Sequence, residues 1–171
     1  MKRLFIIFAL LFTAPAVAQD MPAEKLTDKL APIAPYIGTW SASLGDGVTD
    51  VSKWEWIMGG KAVQITHSIN DGAYGGRSIV HWNGERESIA YRYVTTARFF
   101  TEGNIHVKDD GSLEVEEIVW GNMDGASETR SGYSIKDGKM HTWSQLKYGI
   151  KWGDVSNAVY SRTPDAKVIF K

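Results

Sequence analysis

The chain has 171 residues, 43% hydrophobic and 23% charged, with 19 basic side chains against 20 acidic ones. That balance fits one folded domain with a core of its own and excludes a nucleic-acid binder, which needs a concentrated basic face. Cysteine is absent, so disulfides, thiolate nucleophiles, zinc–thiolate sites and iron–sulfur clusters lie outside the chemistry of this chain.

Lys2 and Arg3 precede an unbroken apolar run from Leu4 to Phe12, and Ala16-Val17-Ala18 then places small residues where a signal peptidase reads. The pattern predicts a secretory signal peptide over residues 1–18, cleaved after Ala18. A membrane anchor would need about 20 apolar residues, more than this run supplies. The expected product is periplasmic or secreted, with no membrane association after cleavage. Residues 19–35 form a lead-in in which Leu26, Leu30 and Ile33 recur at helical spacing, with Pro32 and Pro35 ending the run. One short helix is predicted there.

From residue 36 onward helical periodicity gives way to regular turn chemistry. Asp46-Gly47, Gly59-Gly60, Asp71-Gly72, Asn83-Gly84, Gly103-Asn104, Asp110-Gly111, Asp124-Gly125, Asp137-Gly138 and Gly153-Asp154 punctuate the sequence. Such pairs tolerate the positive φ angles of tight hairpins, and the segments between them are mostly strand-length. Neighbours joined by tight turns are antiparallel, because a parallel crossover needs a dozen or more residues. A long meander hides its edges by closing on itself. The expected fold is therefore all-β, an antiparallel up-and-down barrel of about eight to ten strands with one short N-terminal helix. The barrel domain spans 36–163 and a tail covers 164–171. The stretch from Glu85 to Glu102 is long for one strand, and a bend is expected near Thr95-Thr96-Ala97.

Alternation decides which side chains point inward. His67 falls on the face of Val63, Ile65 and Ile69; Tyr91 and Tyr93 align with Ile89; Glu117 shares a face with Leu113, Val115 and Val119; His141 and Trp143 share one with Gln145. Apolar faces with single polar groups suit a lumen that binds a small molecule. Rings that simply fill the interior are the competing expectation. Glu117 and Arg98 are expected at the surface, since unpaired charges avoid apolar interiors.

The segment Pro35-Tyr36-Ile37-Gly38-Thr39-Trp40 resembles the Gly-x-Trp element that opens the first strand of lipocalins and related calycin barrels. The resemblance implies that Trp40 closes one end of the barrel and that Arg162, in Tyr160-Ser161-Arg162, packs across its ring. The stretches Trp54–Lys61, His67–Gly76 and Tyr93–Ala97 resemble a bacterial lipocalin-like family without an assigned biochemical function, over roughly residues 36–163. That resemblance supplies a fold but no catalytic residues. Nitrobindin-type haem barrels open with Gly-x-Trp too, but their further glycine-rich pattern is not followed by Trp40-Ser41-Ala42-Ser43; a haem on His141 is a minor alternative.

The leading functional expectation is a binder of a small hydrophobic or aromatic molecule that needs no cofactor. His67, Asn70, Tyr74, Tyr91, Tyr93, Trp54, Trp56, His141 and Trp143 are its candidate ligand contacts, and Trp40 and Arg162 its closure pair. Trp54 and Trp56 alternate with Lys53 and Glu55, so both indoles face one side. Asn70–Gly76 reads as a hairpin turn at the barrel mouth, where Tyr74 covers a ligand and Gly75-Gly76 permit close approach. The alternative is a cofactor-independent isomerase or hydrolase with His67 as acid or base beside Tyr74, Tyr91 or Tyr93. His67, His81, His106 and His141 show no close ligand spacing, so no metal is expected.

Overall fold

The structure, a computed structural model, describes residues Asp28–Lys171. The expected signal peptide and Leu26 of the lead-in lie outside the described residues. A short helix occupies residues 28–36, its second part a 3₁₀ turn (Ala31–Tyr36) with Pro32 at its start and Pro35 inside. The prolines extend the turn rather than ending it: Pro32 sits at the first turn, where a missing N–H costs little.

Eleven strands follow in chain order: β1 (Gly38–Gly45), β2 (Val48–Ile57), β3 (Ala62–Ile69), β4 (Tyr74–Asn83), β5 (Ser88–Thr95), β6 (Phe99–Val107), β7 (Leu113–Gly121), β8 (Ala126–Lys136), β9 (Lys139–Tyr148), β10 (Lys151–Trp152) and β11 (Ser156–Arg162). Each of β1 to β9 pairs antiparallel with the next. The ring closes where β11 pairs with both β9 and β1. β10 uses the same edge of β9 as β11, opposite Lys147 and Tyr148, while β11 lies opposite residues 140–144. The two short strands thus form one position of the wall, interrupted at residues 153–155, and the barrel has ten positions.

The turn residues adopt the backbone their chemistry favours. Asp46-Gly47, Asp71-Gly72, Asp124-Gly125 and Asp137-Gly138 all have positive φ. Gly103-Asn104 is different, lying inside β6 with Gly103 opposite both Tyr91 and Glu117. A Cβ at Gly103 would collide with the backbone of Glu116. This glycine marks a close approach of two strands, and the β5–β6 turn sits instead at residues 96–98, where the bend near Thr95 was expected. A turn at Gly149 (φ 60°) separates β9 from β10.

The lumen is divided along its axis. At one end the N-terminal helix inserts Leu30, Ile33 and Tyr36 against Trp40, Trp54, Val63, Val80, Ile89, Ile105, Leu113, Val115 and Met140, all buried. The Tyr36 hydroxyl ties the helix to the barrel by donating to the carbonyls of Tyr133 (2.9 Å) and Gly111 (3.2 Å). Trp40 donates its indole N–H to Tyr36 O at 2.8 Å. The Arg162 guanidinium lies 4.1 Å from the Trp40 ring centroid and donates to Ile37 O (2.8 Å) and Pro35 O (3.0 Å). One cation therefore joins the last strand, the first strand and the helix. After β11 the tail starts beside Thr39 and crosses the outer wall to the opposite end, where Ile169 N–H donates to Ser68 Oγ at 3.0 Å and Phe170 lies over Gly75.

Candidate functional site

The half of the lumen away from the helix is hollow. A cavity of about 300 Å³ lies between β2, β3, β4, β5, β6, β7, β8, β9 and β11. That is the lower end of the range for small-molecule sites. Its floor is the apolar core, through Trp54, Ile65 and Met140; its walls are aromatic and hydroxylated; its mouth is at the end of the turns before β4, β6 and β8, where Tyr74, Phe99 and Met123 stand.

Alternation positions the polar groups. Along β2, Asp50, Ser52 and Trp54 point inward; along β3, Ile65 and His67; along β5, Tyr91 and Tyr93. Cross-strand register then brings distant residues together. Asp50 Oδ1 lies 3.0 Å from His67 Nδ1, His67 Nε2 lies 2.6 Å from the Tyr93 hydroxyl, and the Tyr93 and Tyr74 hydroxyls are 2.8 Å apart. The Tyr160 hydroxyl donates to Asp50 Oδ2 at 2.7 Å from across the barrel seam. The result is one hydrogen-bonded chain, Tyr160–Asp50–His67–Tyr93–Tyr74.

One donor in that chain follows from its chemistry. Asp50 as a carboxylate only accepts, so His67 donates to it from Nδ1, while Nε2 meets the Tyr93 hydroxyl. The Tyr93 hydroxyl thus bridges His67 Nε2 and the Tyr74 hydroxyl. Gly76 makes room for this arrangement, since a Cβ there would collide with the Tyr93 ring. Burial pushes the Tyr93 and Tyr160 phenols well above their ordinary range, with the Asp50 charge adding to it. Both stay protonated at any physiological pH.

A second polar group stands apart from the chain. Glu117 on β7 is buried, 9% exposed, and accepts a hydrogen bond from Thr101 on β6. Loss of hydration pushes its carboxyl up to about 7. Its neighbours are phenols and hydroxyls. The Ser78 hydroxyl donates to Tyr91 at 2.8 Å, and burial followed by the Glu117 charge raises Tyr91 well above its ordinary value and Tyr133 to about 12. Among the described residues lining the cavity there is no lysine or arginine.

Of the residues singled out from the sequence, His67, Tyr74, Tyr91, Tyr93 and Trp54 line this cavity. Trp143 borders it from β9, but its indole covers Gly132 on the outer face. Trp56 packs against the core at the helix end, one inward position beyond Trp54. Asn70 belongs to the β3–β4 turn, where its side chain accepts from Thr49 N–H at 2.9 Å and fixes the turn instead of facing the lumen. His141 lies between inward Met140 and Thr142, which turns its ring outward and away from any lumen ligand, haem included. Trp40 and Arg162 form the closure pair already described.

Asp50, Tyr160, Thr101 and Glu117 complete the site and were not among the expected contacts. Glu117 corrects the surface placement read from the sequence: alternation with Leu113 and Val115 carries it inside, and Thr101 satisfies one of its oxygens. Arg98 is exposed in the β5–β6 turn and takes no part. No protein-family model matches this chain, and a search of curated proteins finds no similar one.

Proposed function

We propose that this protein is an exported, lipocalin-like binder that holds a small molecule with an aromatic or apolar body in the hollow half of its barrel. The observation that carries the reading is the cavity of about 300 Å³, built from Trp54, Ile65, Phe99 and several tyrosine rings, with its polar groups gathered on two sides. Apolar walls supply most of the binding free energy and a few fixed polar groups orient the guest. The mouth residue Tyr74 is hydrogen-bonded to the inner chain, so the site is largely pre-formed. The N-terminal apolar run and the small residues at 16–18 support a periplasmic or secreted location.

Trp54 in the cavity floor provides the test. Titration with a panel of aromatic and aliphatic lipophiles shifts its fluorescence, and Thr129→Phe, which fills the cavity from β8, removes the response. A broad panel without effect at micromolar concentrations overturns the reading.

The hydrogen-bonded chain favours one second reading, an acid–base enzyme in which His67, oriented by Asp50, relays a proton through Tyr93 and Tyr74. A folded His67→Ala protein then loses turnover of any substrate found by screening. Unchanged turnover ends that assignment.

A further inference from the structure

The two carboxyl groups in the lumen have different circumstances. Both oxygens of Asp50 are engaged, one by His67 Nδ1 and the other by the Tyr160 hydroxyl. Asp50 is a fixed part of the wall. Glu117 receives only the Thr101 hydroxyl, on one oxygen. Glu117 lines the cavity, and its second oxygen has no hydrogen-bond partner among the described residues, in a side chain nine-tenths buried. A buried carboxylate is costly unless it is paired with a cation, and the cavity lining offers no lysine or arginine.

What the cavity does offer around Glu117 is aromatic. Tyr91 lies opposite Gly103, which in turn lies opposite Glu117, so the absence of a side chain at 103 leaves the carboxyl and that ring facing one another. Tyr74 and Tyr133 are close enough to feel the Glu117 charge, and Trp54 and Phe99 complete the ring wall. Aromatic faces attract cations through their quadrupoles. An anion would meet two carboxyl groups and no fixed positive charge.

Building on the lumen-binding reading, we infer that the ligand is a small organic cation, an aromatic or aliphatic amine, whose ammonium group pairs with Glu117. The ammonium supplies the charge that Glu117 lacks, donates to the free carboxyl oxygen, and lies against the surrounding rings. The Asp50–His67–Tyr93–Tyr74 chain presents the Tyr74 hydroxyl to the same space, where it meets a second polar group of the guest.

The pH dependence follows from the free protein. Glu117 is protonated below about 7 and must lose that proton to pair with an ammonium ion. Affinity therefore rises about tenfold per unit of pH on the acid side and levels off above it. The other titratable groups of the cavity are Asp50 on β2, His67 on β3, Tyr74 on β4, Tyr91 and Tyr93 on β5, Tyr133 on β8 and Tyr160 on β11; on β6 Glu117 meets Thr101, and it also borders a depression lined by His81, Arg86, Arg92, Glu102, Glu116 and Glu128. The phenols do not ionise in this range. Any contribution from Asp50 and His67 persists when Glu117 is replaced, so the difference between the two proteins isolates Glu117.

The experiment is calorimetric titration with three compounds that share one ring and differ in charge: 2-phenylethylamine, 2-phenylethanol and 3-phenylpropanoate. The amine binds tightest and the acid weakest, and amine affinity climbs with pH as described. In Glu117→Gln the preference disappears: the amine weakens roughly 30-fold or more, as for loss of one partner of a buried charge pair, and its pH dependence flattens. Carboxyl-carbon NMR of the wild-type protein near pH 6 shows Glu117 changing from protonated to ionised as amine is added. Equal or tighter binding of the alcohol or the acid overturns the counter-ion assignment and leaves the lumen-binding reading standing. A Glu117 carboxyl signal that does not respond to bound amine overturns it too. If none of the three compounds binds, the amine assignment falls, and the wider panel of lipophiles decides the lumen-binding reading separately.

Discussion

Glu117 illustrates how a single side chain can set the pH behaviour of a fold. Its carboxyl is raised in the native state from 4.5 to about 7, so between those values the native protein holds a proton that the unfolded chain has released. Native stability from this group is fully present below about 4.5 and is lost as pH rises through about 7. A shift of that size corresponds to roughly 3 kcal/mol as an upper limit. Chemical denaturation of wild type and Glu117→Gln across this range checks it: relative to the variant, the wild type weakens by up to that amount toward alkaline pH. Parallel curves would show that water or local motion already solvates the carboxylate.

The same scale shows what the sequence revealed of the site. His67 and the β5 tyrosines were legible because each sits among apolar residues at alternate positions, a local signal. Glu117 carries that signal too, beside Leu113 and Val115, yet a carboxylate is ordinarily a surface residue, so side-chain type and alternation point opposite ways. Asp50 was invisible. Its burial depends on Tyr160, 110 residues away, which reaches it only after the barrel closes.

Among the elements, the seam between β1 and β11 depends most on one residue. Its register is short, Trp40 opposite Arg162 and Ser41 opposite Ser161, and Arg162 adds the stacking and the two carbonyl contacts that bind the N-terminal helix to it. Arg162→Ala is expected to cost about 1–2 kcal/mol, through a partly exposed cation–π contact and charge-assisted hydrogen bonds. Arg162→Lys recovers only part of this, because an ammonium cannot span Ile37 O and Pro35 O as a planar fork does. Thermal unfolding of the three proteins gives the order wild type, Lys, Ala. Lys equal to wild type would show that charge alone holds the seam. The strands themselves were readable because Asp-Gly and Asn-Gly turns are decided by adjacent residues. Gly103-Asn104 has the same local chemistry as a turn, and only the approach of β7 distinguishes it.

For the molecule as a whole, ring closure leaves no long unpaired edge, and the C-terminal tail adds a strap over the outside. By joining Ser68, Gly72 and Gly75, residues 169–171 hold the β3–β4 hairpin that carries Tyr74. Deleting residues 167–171 is expected to lower stability by about 1 kcal/mol, from one hydrogen bond and the partial burial of Phe170. Hydrogen exchange should quicken in β3 and β4 while β6 to β8 keep their protection. Uniform acceleration would show that the tail supports the barrel globally. Overall architecture was accessible from turn spacing and alternation, whereas the path of the tail was not, since its contacts are to residues a hundred positions earlier and follow no periodic pattern.

The axial split between a solid base and a hollow crown has an engineering consequence. Residues that keep the chain folded crowd one extremity, and those that would meet a guest crowd the other. Substitutions around the rim can therefore retune selectivity while the foundations stay untouched, which makes this barrel a candidate scaffold for receptors made to order.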